Sequence, residues 1–153
     1  MKQIFFFLSF FLLFGCAGYE PLFATKKLSF YIEKIENIKD DNITKNISRN
    51  LNLNKSKSDN TKSYILKISS DMANRVAAKN TKGQTSSYEM IVNVKVEVLS
   101  TDSELLLKTF NFRRNFNYNN QVNKFNLNQY KNNILQNIIN KISQDIIIKL
   151  QSL

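Results

Sequence analysis

"YEMIVNVKVEV", residues 88 to 98, is the stretch whose reading decides the fold. Its even positions, Tyr88, Met90, Val92, Val94, Val96 and Val98, are all apolar, whereas Ile91 alone is apolar among the odd ones. Alternation sustained over this length predicts a strand with one face on a core and the other polar, as Asn93, Lys95 and Glu97 on the odd face require. Upstream, Tyr64, Leu66 and Ile68 alternate in the same way, and the pattern runs on toward Arg75. "AAKNTKGQT" joins the two runs, and Gly83 sits where a hairpin tip needs positive φ. Downstream, a turn near Ser100 to Ser103 leads to a third run with Leu106, Phe110, Phe112 and Phe116 on one face. The three runs make a meander of long antiparallel strands.

Outward from the meander the period changes. Leu28, Phe30 and Ile32 alternate within Leu28 to Ile38, which predicts a strand. Asp40 and Asp41 follow as acidic residues suited to capping, then Ile43, Ile47 and Leu51 at four-residue spacing predict a short amphipathic helix. Asn54 to Lys62 reads as a polar linker. At the other end, Leu127 to Leu150 holds neither Gly nor Pro. Leu135, Ile138, Ile139, Ile142, Ile146 and Leu150 recur there at three- and four-residue spacing, opposite Asn133, Gln136, Asn137, Asn140 and Gln144, so a long helix is expected to lie on the sheet. The β-branched run Ile146-Ile147-Ile148 leaves its last turns open between helix and strand. The expected fold is α+β: a two-layer sandwich in the order β-α-β-β-β-α, its four-stranded, mainly antiparallel sheet carrying both helices on one face. The isoleucine and aromatic stripes read as core rather than as a ligand pocket.

The amino-terminal letters follow a different logic. Ile4 to Phe14 is an apolar run broken only by Ser9, with Lys2 ahead of it and Gly15-Cys16 behind it. It is shorter than the roughly 20 residues a helix needs to cross a bilayer, and it has the layout of a secretory signal. Leu13-Phe14-Gly15-Cys16 resembles a bacterial lipobox, in which the cysteine is acylated and becomes the mature amino terminus; Phe14 departs from it, standing where a small residue is usual. An ordinary secretion signal with a chance cysteine is the other reading. Cys16 is the chain's one cysteine. In an oxidising compartment it would be an unpaired thiol, and acylation consumes it. Several acyl chains would hold the protein stably, each buried methylene contributing about 0.8 kcal/mol. The organisation expected is a signal peptide over residues 1–15, a lipidated tether over 16–27 containing Pro21, and a single domain over 28–153.

Charge and composition narrow the function classes. The formal net charge is +10 at pH 7, and from Leu105 onward seven basic residues face one acid, Asp145. The chain has 22 asparagines, many beside Lys and Ile, so part of the basicity is consistent with A+T-rich codon usage. "FNFRRNFNYNNQVNK", residues 110 to 124, interleaves aromatics with Arg113, Arg114 and Lys124 in the manner of a single-strand stacking groove. An exported lipoprotein rarely meets nucleic acid, so no nucleic-acid partner is expected. There is no His, and no free thiol remains after acylation, which removes the commonest general base and metal ligand. No GxSxG, HExxH or phosphate-cradling glycine loop is present, so the chain reads as a non-enzyme without a cofactor or metal.

Two motifs carry a family resemblance. "CAGYEPLF", residues 16 to 23, resembles the mature start of the lipopolysaccharide-assembly lipoproteins (LptE-like), with Ala17 where that family usually has Gly. "KGQTSSYEMIVNVKVEVL", residues 82 to 99, is similar to their hairpin and following strand, and the element order agrees over nearly all of the mature chain. The resemblance implies a lipid-anchored outer-membrane protein that assembles with, and plugs, the β-barrel (LptD-like) delivering lipopolysaccharide to the outer leaflet. It would face the periplasm and the barrel lumen, and its partners would be that barrel, lipopolysaccharide and the membrane holding the Cys16 lipid. A barrel lumen is polar, so a plug needs a polar exterior. The resemblance places a basic residue near the hairpin turn, here Lys82. Lys124, read as lying in the loop before the long helix, is a second lipopolysaccharide-contact candidate on similar grounds. A generic lipid-anchored periplasmic interaction domain, such as an auxiliary part of another envelope transporter, is the alternative.

Overall fold

The computed structural model describes residues 30–52 and 62–153. The expected signal, Cys16, the tether and most of the expected polar linker lie outside the described residues. Six elements follow in order: β1 (Phe30–Asn37), α1 (Asn42–Asn52), β2 (Lys62–Lys79), β3 (Thr85–Ser100), β4 (Leu106–Asn119) and α2 (Lys124–Gln151). They form the expected α+β fold, with an open four-stranded sheet in the order β1-β2-β3-β4.

The meander is antiparallel throughout. Val94 pairs with Ser70 on β2 and with Phe112 on β4. Leu106, paired with Leu99, falls on the odd-numbered face, but between the register shifts at Val76/Ala78 and Val98/Leu99 the even-numbered residues of the three strands share one face. That face is the core: Leu66, Ile68, Met90, Val92, Val94, Val96 and Val98 are buried against Ile138, Ile139, Ile142 and Ile146 of α2 and Ile43, Ile47 and Leu51 of α1. β1 differs, pairing parallel with β2 from Phe30↔Lys62 to Asn37↔Ile68, with a register shift at Glu33. Parallel neighbours need a crossover, and α1 supplies it. Beyond Ile68, β2 has no partner on its β1 side among the described residues. Its distal half and the matching parts of β3 and β4 therefore project as an arm past α1.

The α1 entrance is built on Asp41. Its Oδ1 accepts from the Thr44 backbone N–H at 2.8 Å, and the hydroxyls of Ser70 and Thr44 donate to its two oxygens at 2.8 and 3.0 Å. Thr44 and Ser70 are themselves buried, so the carboxylate caps the helix and ties it to β2 in one arrangement.

Two details depart from the pattern read in the sequence, and one more settles what it left open. Asn123 Oδ1 accepts from the Phe125 and Asn126 N–H groups, so α2 starts at Lys124. Lys124 is thus the first residue of the helix and not part of a preceding loop. Ile146, Ile147 and Ile148 are helical, because Ile146 and Ile147 pack into the core and tertiary burial outweighs weak propensity. Finally, the apolar run on β4 is not all core. Phe110 and Phe112 are half-buried and Phe116 is exposed, since β4 is the sheet's edge and α2 covers it only in part.

Candidate functional site

The β2–β3 hairpin tip is organised by one asparagine. Asn80 Oδ1 accepts from the backbone N–H groups of Lys82 and Gln84 at 3.0 and 2.9 Å, and Asn80 Nδ2 donates to Gln84 Oε1. Gly83 N–H donates to Asn80 O at 2.9 Å, with φ at +76°. A side-chain-braced turn of this kind fixes the backbone of Lys82 while leaving its side chain in solvent.

Pairing in the sheet brings the start of α2 to the same place. Ser87 at the base of the tip pairs with Asn119 at the end of β4. Asn120 then donates through its backbone N–H to Ser86 O and through Nδ2 to Thr85 O, at 2.8 and 2.9 Å. The loop from Asn120 to the Asn123 cap therefore lies against the hairpin, and Lys82 and Lys124 occupy one end of the molecule. Two large apolar side chains stand beside Lys124 in solvent: Val122, at 102% relative exposure, and Phe125, at 68%. The first turn of α2 holds no acid. A helix amino terminus already carries partial positive charge, so this end is electropositive without an internal counter-charge in that turn.

Further along α2, an apolar groove of about 450 Å³ lies between the edge of β4 and the helix, lined by Phe116, Tyr130, Ile134 and Ile138 with Arg114, Lys141 and three asparagines. Arg114 is paired with Asp145 of α2. Tyr130 stands edge-on to Tyr118, their ring centroids 6.4 Å apart. The arrangement offers cations and an adjoining apolar surface, which is the chemistry an anionic amphiphile requires. Among the described residues no cluster of His, Cys, Asp and Glu could hold a metal ion. Sequence reading singles out the two lysines, which the fold brings to one end, but not Val122, Phe125 or the groove. The capping asparagine before "KFNL" was the available signal that Lys124 and Phe125 open a helix.

An open four-stranded sheet with two helices on one face is the fold of a group of bacterial lipoproteins. The chain superposes on rare lipoprotein B from Shewanella oneidensis with a TM-score of 0.61 at 13% identity, covering 80% of this chain and 94% of that one. A lipoprotein B from Nitrosomonas europaea gives 0.64 at 13%, covering 89% and 92%, and a minor lipoprotein from Acinetobacter baumannii gives 0.61 at 12%, covering 82% and 95%. A sequence comparison with curated proteins found no match. The chain belongs to the lipopolysaccharide-assembly (LptE) family, whose model matches residues 29–150.

Proposed function

We propose that the protein is an outer-membrane lipoprotein that assembles with the lipopolysaccharide-transport barrel, plugs its lumen and contacts lipopolysaccharide through the tip carrying Lys82 and Lys124. Family membership supports the assembly role, and the observation that carries the contact is the convergence of both lysines with exposed Val122 and Phe125 at one end. Lipopolysaccharide combines phosphates and carboxylates with acyl chains. The lysines suit the anions through charge-assisted hydrogen bonds, and the groove between β4 and α2 suits an acyl chain. The polar outer sheet face, with ion pairs such as Lys95–Glu97 at 2.7 Å, suits an aqueous lumen. The family match favours this reading over a generic periplasmic interaction domain.

Exposed charge contacts are each worth about 0.2–1 kcal/mol and are screened by salt. Lys82→Glu should therefore weaken binding of purified lipopolysaccharide modestly, and the Lys82→Glu, Lys124→Glu double variant by about tenfold at low salt. The melting curve should stay unchanged. Equal affinity for wild type and double variant would remove both residues from the site. Capture of the tagged chain should bring a large outer-membrane barrel with it, and recovery of the chain alone would remove the plug.

A further inference from the structure

The seven basic residues after Leu105 all lie on β4 or α2, and Asp145 is the one acid among them. These two elements enclose the groove, and no acid lines it. α2 contributes two neighbouring rows at four-residue spacing: Tyr130, Ile134 and Ile138 in one, and the exposed Asn133, Asn137 and Lys141 in the other. Ile134 and Ile138 are buried and form the floor, whereas Phe116 and Tyr130 are 43% and 39% exposed. The groove is polarised along its length. Phe116 and Tyr130 stand nearer the tip, and Arg114 and Lys141 stand farther from it. Arg114 is engaged by Asp145, four residues beyond Lys141, and Asn115 donates to Glu89 at 2.8 Å. Lys141 makes no ion pair among the described residues. Its ammonium and the amides of Asn133 and Asn137 are therefore the polar groups placed to meet a ligand.

Charge complementarity names the occupant. An isoleucine floor and an aromatic wall suit an acyl chain, and a lysine beside an amide at one end suits a phosphate or carboxylate. Lys141 stands 11 positions after Tyr130, about 16 Å along the helix, which leaves room for an extended chain with its anion at the Lys141 end. Lys141 also stands 17 positions after Lys124, about 25 Å along α2, so one anionic group cannot meet both. An amphiphile in the groove has an anion contact of its own.

We propose that the groove and Lys141 form a second site for an anionic amphiphile, filled independently of the tip lysines, with the acyl chain along Phe116, Ile134 and Ile138 and the anion on Lys141 and Asn137. That the amphiphile is lipopolysaccharide rests on the proposed function, and the test separates the two. The purified full chain would carry the photoreactive residue benzoylphenylalanine at Asn133 in the groove, at Val122 beside the tip lysines or at Lys95 on the outer sheet face. Each protein is irradiated with purified lipopolysaccharide, and an antibody against lipopolysaccharide reads the adduct. Adducts should form at 133 and 122 and stay at background at 95. Lys141→Glu should lower the yield at 133 about fivefold at low salt and leave 122 unchanged. The Lys82→Glu, Lys124→Glu pair should do the reverse. Phe116→Asn, in the exposed wall, should lower the yield at 133 as well. Lys149→Glu makes the same charge change on α2 beyond the groove and should alter neither. An adduct at 122 without one at 133 overturns the groove site and leaves the tip reading standing. An adduct at 133 without one at 122 sustains the groove and overturns the tip. Adducts at neither position overturn both. Equal yields at all three positions, or an equal fall at 133 from Lys141→Glu and Lys149→Glu, mean a diffuse attraction to the cationic flank and overturn the site. A fall at 133 in the tip pair makes the two sites one and overturns the independence. An unchanged yield in Phe116→Asn overturns the acyl chain's place on the wall. Cross-linking from 133 to a second copy of the chain means that protein covers the groove, and overturns the proposal.

Discussion

The carboxylate of Asp41 accepts from the Thr44 backbone, from Thr44 Oγ1 and from Ser70 Oγ, so one side chain closes the α1 amino terminus and fastens it to β2. Desolvation by partial burial pushes its pKa up, but the hydrogen bonds from Thr44, Ser70 and Ile43 together outweigh that, and the net value lies below the usual 3.8. A depressed carboxylate adds stability that is fully present above its unfolded value and is lost as pH falls through the folded value. Asp41→Ala should therefore cost about 1–2 kcal/mol near neutral pH, in the range of a lost cap. It should also remove part of the acid-side decline of stability. Urea melts at pH 7 and near pH 3 check this, and a variant with the wild-type loss across that interval would refute the assignment. The sequence pointed to Asp41 as a capping residue, but not to Ser70. Residues 29 positions apart meet only once β1 and β2 pair in parallel, and no local pattern announces a crossover's register.

At the scale of elements, β3 carries the most information. Val94 faces the core at 2% exposure and Lys95 faces solvent. Val94→Asp would bury an unpaired carboxylate at a cost of several kcal/mol, enough to unfold a small domain. Lys95→Asp replaces the exposed pair with Glu97 by an exposed like-charge pair and should cost only about 1 kcal/mol. Thermal melts should rank the two variants in that order, and the reverse ranking would shift the strand register by one residue. All four strands and both helices were legible because alternation and four-residue spacing are local consequences of burying one face. What stayed hidden depended on neighbours. Ile91 lies on the polar face, yet is 3% exposed, because it sits mid-sheet between β2 and β4. Phe116 has the spacing of a core residue, yet is exposed because β4 is an edge. The cap at Asn123, the groove beside α2 and the apolar Val122 and Phe125 also arise from how elements meet.

The described residues form a fold with two distinct ends. β1 begins at the end of the sheet that also holds the β3–β4 turn, and Lys82 and Lys124 lie at the other end. Cys16 stands 14 positions before Phe30, and its acylation belongs to the proposed function. Cys16→Ser should leave an uncleaved precursor or a soluble form, and persistent radioactive fatty-acid labelling of that variant would rule the site out. The parallel pairing of β1 with β2 has a mechanical meaning as well. Both strands run from the entry end toward the tip, and residues Phe30 to Asn37 hold β1 in place through their ladder with Lys62 to Ile68. A pull between the two ends acts along the strands, so it loads the rungs of that ladder together in shear rather than opening them one after another. The edge strand nearest the amino terminus is thus seated in the direction in which a hydrogen-bonded ladder resists tension best.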